Sequence, residues 1–268
     1  MKNTTKKTVI SIIATLLIGY VGIQLACIPL QMLMSRLNAE SLTQSFVAQI
    51  LEVIVAAVLF FIFKSRDALK VAPRQMKEGL ICGAGILVPQ ILVLLVSLSE
   101  IGGHELIPGG KIAMLVIYSI LIGISEEIFY RGILTDGFLE LIGTDTQKKT
   151  MLAVAIPGLI FGSLHLINAA SPDITFATAA VQAAAAAALG MFFGAVYVRC
   201  GRSLWPMIVL HSIVDFAGFV HGGMLWGASD TEAIGSLSFG GMIMVPLYLG
   251  IVVFLLRSDK MKTAAAVA

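Results

Sequence analysis

The chain has 268 residues, 58% of them hydrophobic and only 13% charged, with a net charge of +2 and a mean hydropathy of +0.95. A soluble domain is about one quarter charged, and hydropathy this high over the whole length requires many spans of about 20 apolar residues each. The small net charge, with no basic stretch interleaved with aromatics, argues against a nucleic-acid partner.

At the N-terminus, Lys2, Lys6 and Lys7 precede an apolar run that continues to about Met34. That run is too long for a cleavable signal segment and reads as a first span. Leu25-Ala26-Cys27 is a weak match to a lipoprotein cleavage site, with Gln24 where an aliphatic residue is wanted. Further apolar segments follow at about 43–63, 78–98, 112–134, 150–169, 174–198, 203–220 and 239–256, so the expectation is about eight spans. In lipid each segment must satisfy its own backbone polar groups, which makes helices the default. The expected fold is an all-α polytopic bundle forming a single integral membrane domain over residues 1–268. Cys27, Cys82 and Cys200 match neither a disulfide framework nor a zinc site and read as buried apolar residues.

Loop charges orient the bundle. Lys2, Lys6, Lys7, Lys64, Arg66, Lys70, Arg74, Lys77, Lys148, Lys149, Arg199, Arg202, Arg257, Lys260 and Lys262 all fall on one side of an eight-span arrangement. Only Arg36 and Lys111 fall on the other, so the positive-inside rule predicts cytoplasmic termini. The sixth segment carries Ala183 to Ala188, then Gly190 and Gly194, a small-residue pattern that favours close helix packing within the bundle over homodimerisation.

Three segments carry ionisable residues where these cost roughly 2.5–3.5 kcal/mol each on insertion scales. The fourth contains Ser125-Glu126-Glu127-Ile128-Phe129-Tyr130-Arg131. Four residues separate Glu127 from Arg131, so the two share a helix face and can pair. Glu126 points elsewhere and is left without that partner. The structural alternative is a helix end whose three charges reach to the membrane surface. The fifth segment contains Phe161 and His165, and the seventh His211 and Asp215, four apart on one face. Each of these has a bland reading as a hydrogen-bonded packing group. Together they predict one interior cavity. Glu52, in the second segment, can neighbour that site, line a polar path or pair with Arg36. His104 and His221 lie in or beside outer loops and receive no role.

At these residues the sequence resembles the type 2 CAAX prenyl proteases and their bacterial relatives, the CPBP or ABI family of intramembrane proteases. The family pattern, Glu-Glu-x-x-x-Arg, then Phe-x-x-x-His, then His-x-x-x-Asn or Asp, is present here as Glu126, Glu127 and Arg131, then Phe161 and His165, then His211 and Asp215. The resemblance covers about residues 110–220. It implies an intramembrane endopeptidase acting on a membrane-associated peptide or protein, of CAAX type or of leader or bacteriocin type. Glu126 is then the essential carboxylate, His165 its partner in activating water, and His211 and Asp215 the groups that stabilise the tetrahedral intermediate or hold a metal. The cofactor is either absent or a divalent metal such as zinc, bound by Glu126, His165, His211 and Asp215. Asp215 stands where the eukaryotic members have Asn. No His-Glu-x-x-His helix is present, and no serine near the motifs has a defined base. Two other classes remain open: a proton-coupled transporter with Glu126, His165 and Asp215 as a relay, and a catalytically silent immunity or scaffold protein of the same fold. The lipid bilayer of the cell membrane is the expected setting, and the oligomeric state is not indicated.

Counting along the helices leaves one conflict. At 1.5 Å per residue, His211 lies about 14 Å beyond Arg202, whereas His165 lies about 24 Å beyond Lys149.

Overall fold

Apolar sequence without water must close its hydrogen bonds within the helix, and the computed structural model is all α among its described residues, 3–64, 69–70, 72–171, 173–235 and 242–260. Among these described residues, seven helices are long and apolar enough to cross a membrane: α1 (Thr5–Arg36), α2 (Ser41–Phe63), α4 (Ala84–Gly103), α5 (Gly109–Ile142), α6 (Gln147–Ala170), α7 (Phe176–Arg199) and α8 (Leu204–His221). A shorter helix, α3 (Pro73–Cys82), precedes α4, and α9 (Met244–Leu255) ends the bundle.

These bounds agree with the predicted segments apart from three differences. The third segment, predicted as one run over 78–98, is divided at Gly83, where an added Cβ would meet Leu210 Cδ1 at 2.4 Å. The fourth runs eight residues past its predicted end, because Ile128–Thr135 is π-helical and leads into a further turn, Asp136–Ile142. The eighth is represented by the 12 residues of α9. At 1.5 Å each these reach about 18 Å, short of the roughly 30 Å hydrocarbon core. Residues 239–241 of that segment lie outside the described residues, as do Lys2, Arg66 and Lys262 of the cation pattern.

The most enclosed span is α7, packed against α6 and α9, while α8 packs against α5 and α4, and α2 against α5. The small residues of α7 serve packing within the chain. A Cβ on Gly190 would lie 3.1 Å from Gly158 Cα, and one on Gly162 would lie 2.4 Å from Ala183 O. Only glycine at these points lets the two backbones come this close. Phe192, Phe193 and Tyr197 on α7 join Leu204 and Met207 on α8 in the main apolar core.

Polar contacts gather at the two ends. At one end Lys64 pairs with Asp136 at 2.5 Å and Arg202 with Asp136 at 3.1 Å, while Thr8 donates to Glu140 at 2.7 Å. Arg199 reaches Glu78 at 3.2 Å beside them in the loop set predicted to share a side. At the other end Lys111 pairs with Glu40 at 2.5 Å, and Ile107 N donates to Leu225 O. These contacts place Lys64, Arg199 and Arg202 toward one end of the bundle and Lys111 toward the other, as the cations predict, while the eighth predicted span is represented only by the short α9.

Candidate active site

The motif-bearing spans α5, α6 and α8 converge. Glu126, His165, His211 and Asp215 all line one cavity of about 310 Å³. His165 and His211 meet at this cavity although Lys149 to Leu164 is α-helical throughout, so α6 begins farther from the site than α8 does; α6 then changes to a 3-10 segment at His165–Ala170, with His165 at the junction.

The expected Glu127–Arg131 pair is present at 2.8 Å, with the two side chains 0% and 1% exposed. These two charges are enclosed by protein rather than reaching out along the helix surface. Arg131 also donates to Gly190 O at 3.2 Å, and its guanidinium lies 5.0 Å from the Phe193 ring centroid and 5.5 Å from that of Phe161. Phe161 further packs edge-on against His165, with centroids 5.0 Å apart.

The second partner of Glu127 comes from 84 residues away. His211 Nδ1 lies 2.5 Å from the same Glu127 oxygen that accepts from Arg131. Its Nε2 is 3.2 Å from Glu126 Oε2 and 3.7 Å from Asp215 Oδ2. Glu126, expected to stand without a partner, is therefore joined to His211. The expected local His211–Asp215 contact is the longest of the three and exceeds hydrogen-bond distance. A ring nitrogen carrying no proton would repel a carboxylate oxygen, so the geometry is satisfied when both His211 nitrogens are donors.

His165 Nδ1 lies 3.1 Å from Phe161 O. A carbonyl oxygen only accepts, so Nδ1 carries the proton and Nε2 retains a lone pair. The two histidines are thus set for different work, one as a donor on both sides and one with an acceptor nitrogen.

A metal would draw on Glu126, His165, His211 and Asp215. In this arrangement His211 directs its ring nitrogens at Glu127 and Glu126 as donors, and a donor nitrogen has no lone pair for a cation. Among the described residues, no group of three or more His, Cys, Asp or Glu side chains is placed to hold a metal ion. The side chains do not fit a metal centre as they stand.

Three polar contacts escaped sequence reasoning. Gln49 on α2 donates to Ser125 Oγ at 2.6 Å and to Glu52 at 3.2 Å, so Glu52 reaches the residue beside Glu126 through Gln49 rather than pairing with Arg36. Asn168 donates to Gln182 Oε1 at 2.7 Å, and both line the cavity. A lone Gln inside an apolar span is the signal that could have found Gln49 and Gln182. His104 stacks on Trp226 and His221 contacts Ser97, both away from the site.

Residues 108–217 match the family model described as Type II CAAX prenyl endopeptidase Rce1-like, an interval that contains every motif residue from Glu126 to Asp215. No curated protein and no solved structure matches the chain.

Proposed function

From a membrane-spanning member of the CPBP/CAAX protease family, we propose an intramembrane endopeptidase that hydrolyses a peptide bond of a membrane-associated peptide or protein with a water activated by Glu126 and His165. The observation that carries this reading is the meeting of Glu126, His165, His211 and Asp215, from three spans, around one cavity.

Each residue has a part that follows from its contacts. The lone pair on His165 Nε2 accepts a hydrogen bond from water, and Glu126 takes the water's proton as general base. At rest, Glu126 holds the Nε2 proton of His211. Once Glu126 is protonated it is a poorer acceptor, and that N–H is released toward the oxyanion forming on the substrate carbonyl. The Glu126 proton then passes to the leaving amine. Glu127 and Arg131 touch no reacting atom; they fix the tilt of His211 by holding Nδ1, and Phe161 packs against the same groups. Asp215 Oδ2 is buried without a hydrogen-bond partner beside His211. An ionised Asp offers no donor to an oxyanion, so Asp215 stands beside His211 as a neighbour of the oxyanion site and not as one of its donors.

The proposed reaction needs no metal. Its substrates are of CAAX type or of leader or bacteriocin type, and the setting is the cell membrane. Purified protein in detergent, given a membrane-associated peptide with and without chelator, beside a Glu126→Ala control, tests it. Cleavage that survives the chelator and vanishes in the variant is expected. Equal cleavage by wild type and Glu126→Ala would falsify the role given to Glu126.

A further inference from the structure

We infer that Asn168 and Gln182 form a subsite for the backbone of an extended peptide, about two residues from the bond that is cut. The inference rests on the endopeptidase reading above and deepens it.

The argument begins with local geometry. A 3-10 helix has three residues per turn, so side chains three apart eclipse. His165 and Asn168 are three apart in the 3-10 segment His165–Ala170, and both line the cavity. With about 2.0 Å rise per residue, Asn168 stands about 6 Å from His165 along the axis of that segment. An extended peptide advances about 3.3 Å per residue. A substrate whose scissile bond lies at His165 therefore presents its backbone to Asn168 about two residues away.

The chemistry fits that backbone. Asn168 Nδ2 donates to Gln182 Oε1 at 2.7 Å. This bond uses one donor of Asn168 and one lone pair of Gln182. It leaves the Asn168 carbonyl as an acceptor and the Gln182 amide nitrogen as a donor. One acceptor and one donor held side by side complement the N–H and C=O that an extended residue directs to one edge. The bond also ties the end of α6 to α7, so neither amide has to be ordered when the peptide arrives. No side-chain pocket is involved, so the subsite reads extension of the chain rather than the identity of a residue.

The test is an N-methyl scan of a peptide that the wild-type protein cleaves, methylating each amide within about three residues of the scissile bond. Removing one hydrogen bond of ordinary strength gives roughly a fivefold rise in KM. That rise is expected at one position about two residues away, with kcat little changed. In Asn168→Ala, KM for the unmethylated peptide should already be raised, and methylation at that position should add nothing. Asn168→Leu, similar in shape and apolar, should reproduce this if the alanine variant folds poorly. Elution and thermal unfolding in detergent report the fold of each variant. A methylation penalty equal in wild type and both variants, or no penalty in wild type, overturns the subsite while leaving the endopeptidase reading intact. Failure of wild type to cleave the unmethylated peptide is a different result: it overturns that reading, and the subsite with it.

Discussion

A single oxygen of Glu127 accepts from both Arg131 and His211 inside the protein, so this carboxylate and its neighbour Glu126 should respond differently to mutation. Glu127→Ala leaves an arginine and a histidine without their buried counter-charge. Loss of one partner of such a pair costs about 3–5 kcal/mol. Thermal unfolding in detergent should drop by many degrees, together with activity. Glu126→Gln instead retains the size and an acceptor for His211, so hydrolysis should vanish with little change in unfolding temperature. Asp215→Asn separates two mechanisms at one atom. If the position serves a metal-free oxyanion site, Asn supplies donors and removes a negative charge, and kcat should be retained or increased. Zinc bound stoichiometrically to wild type, and lost together with activity in Asp215→Asn, would show the opposite. Cys200, in the turn between α7 and α8, is shielded from solvent, and burial pushes its thiol up to about 12. At pH 8 about one molecule in ten thousand is then thiolate, so alkylation should wait for denaturation, which mass spectrometry after maleimide treatment can follow. The Glu127–Arg131 pair was legible in the sequence because both partners sit one turn apart. The His211 contacts were not, because spacing within one span carries no information on its rotation against another.

At the scale of the helix, composition located the spans but was blind to the type of turn. The π-helical stretch after Glu127 and the 3-10 stretch at His165 have no marker in an apolar pattern, since hydropathy does not distinguish i→i+3, i→i+4 and i→i+5 bonding. Both departures lie beside residues of the candidate site. Close packing of α6 on α7 was half legible: Gly190 and Gly194 announced it from one side, while Gly158 and Gly162 on the other were not singled out. The contact is testable. A Cβ on Gly162 would meet the backbone of α7, with Ala187 N at 2.7 Å. Backbone cannot rotate away, so Gly162→Ala should force the helices apart and cost about 1–3 kcal/mol. Gly250→Ala, where nothing lies within 4 Å, should be neutral or slightly stabilising. Unfolding temperatures of the two variants in one detergent decide it.

Across the whole molecule, the loop cations foretold which connections share an end, and the ionic contacts at the two ends agree with that grouping. The side of the membrane is a separate matter. Reporter fusions at residues 106 and 146 should give opposite signals, outer and cytoplasmic respectively, with the termini matching residue 146. Agreement between the two reporters would mean a different number of crossings. The family match begins at residue 108, yet α2, which precedes it, places Gln49 against Ser125 beside Glu126. No motif marks that contribution, because the bond depends only on which helix happens to pack there.

The π-helical stretch Ile128–Thr135 separates the carboxylates of the site from Asp136, which binds Lys64 and Arg202 at the end of the bundle. It therefore sets the phase between two clusters on one continuous rod. Forcing the same eight residues into α-helical winding, with none removed, would rotate everything beyond them. Glu126 and Asp136 could then no longer face their partners at once, so the span behaves like a key whose two bits are cut at a fixed angle.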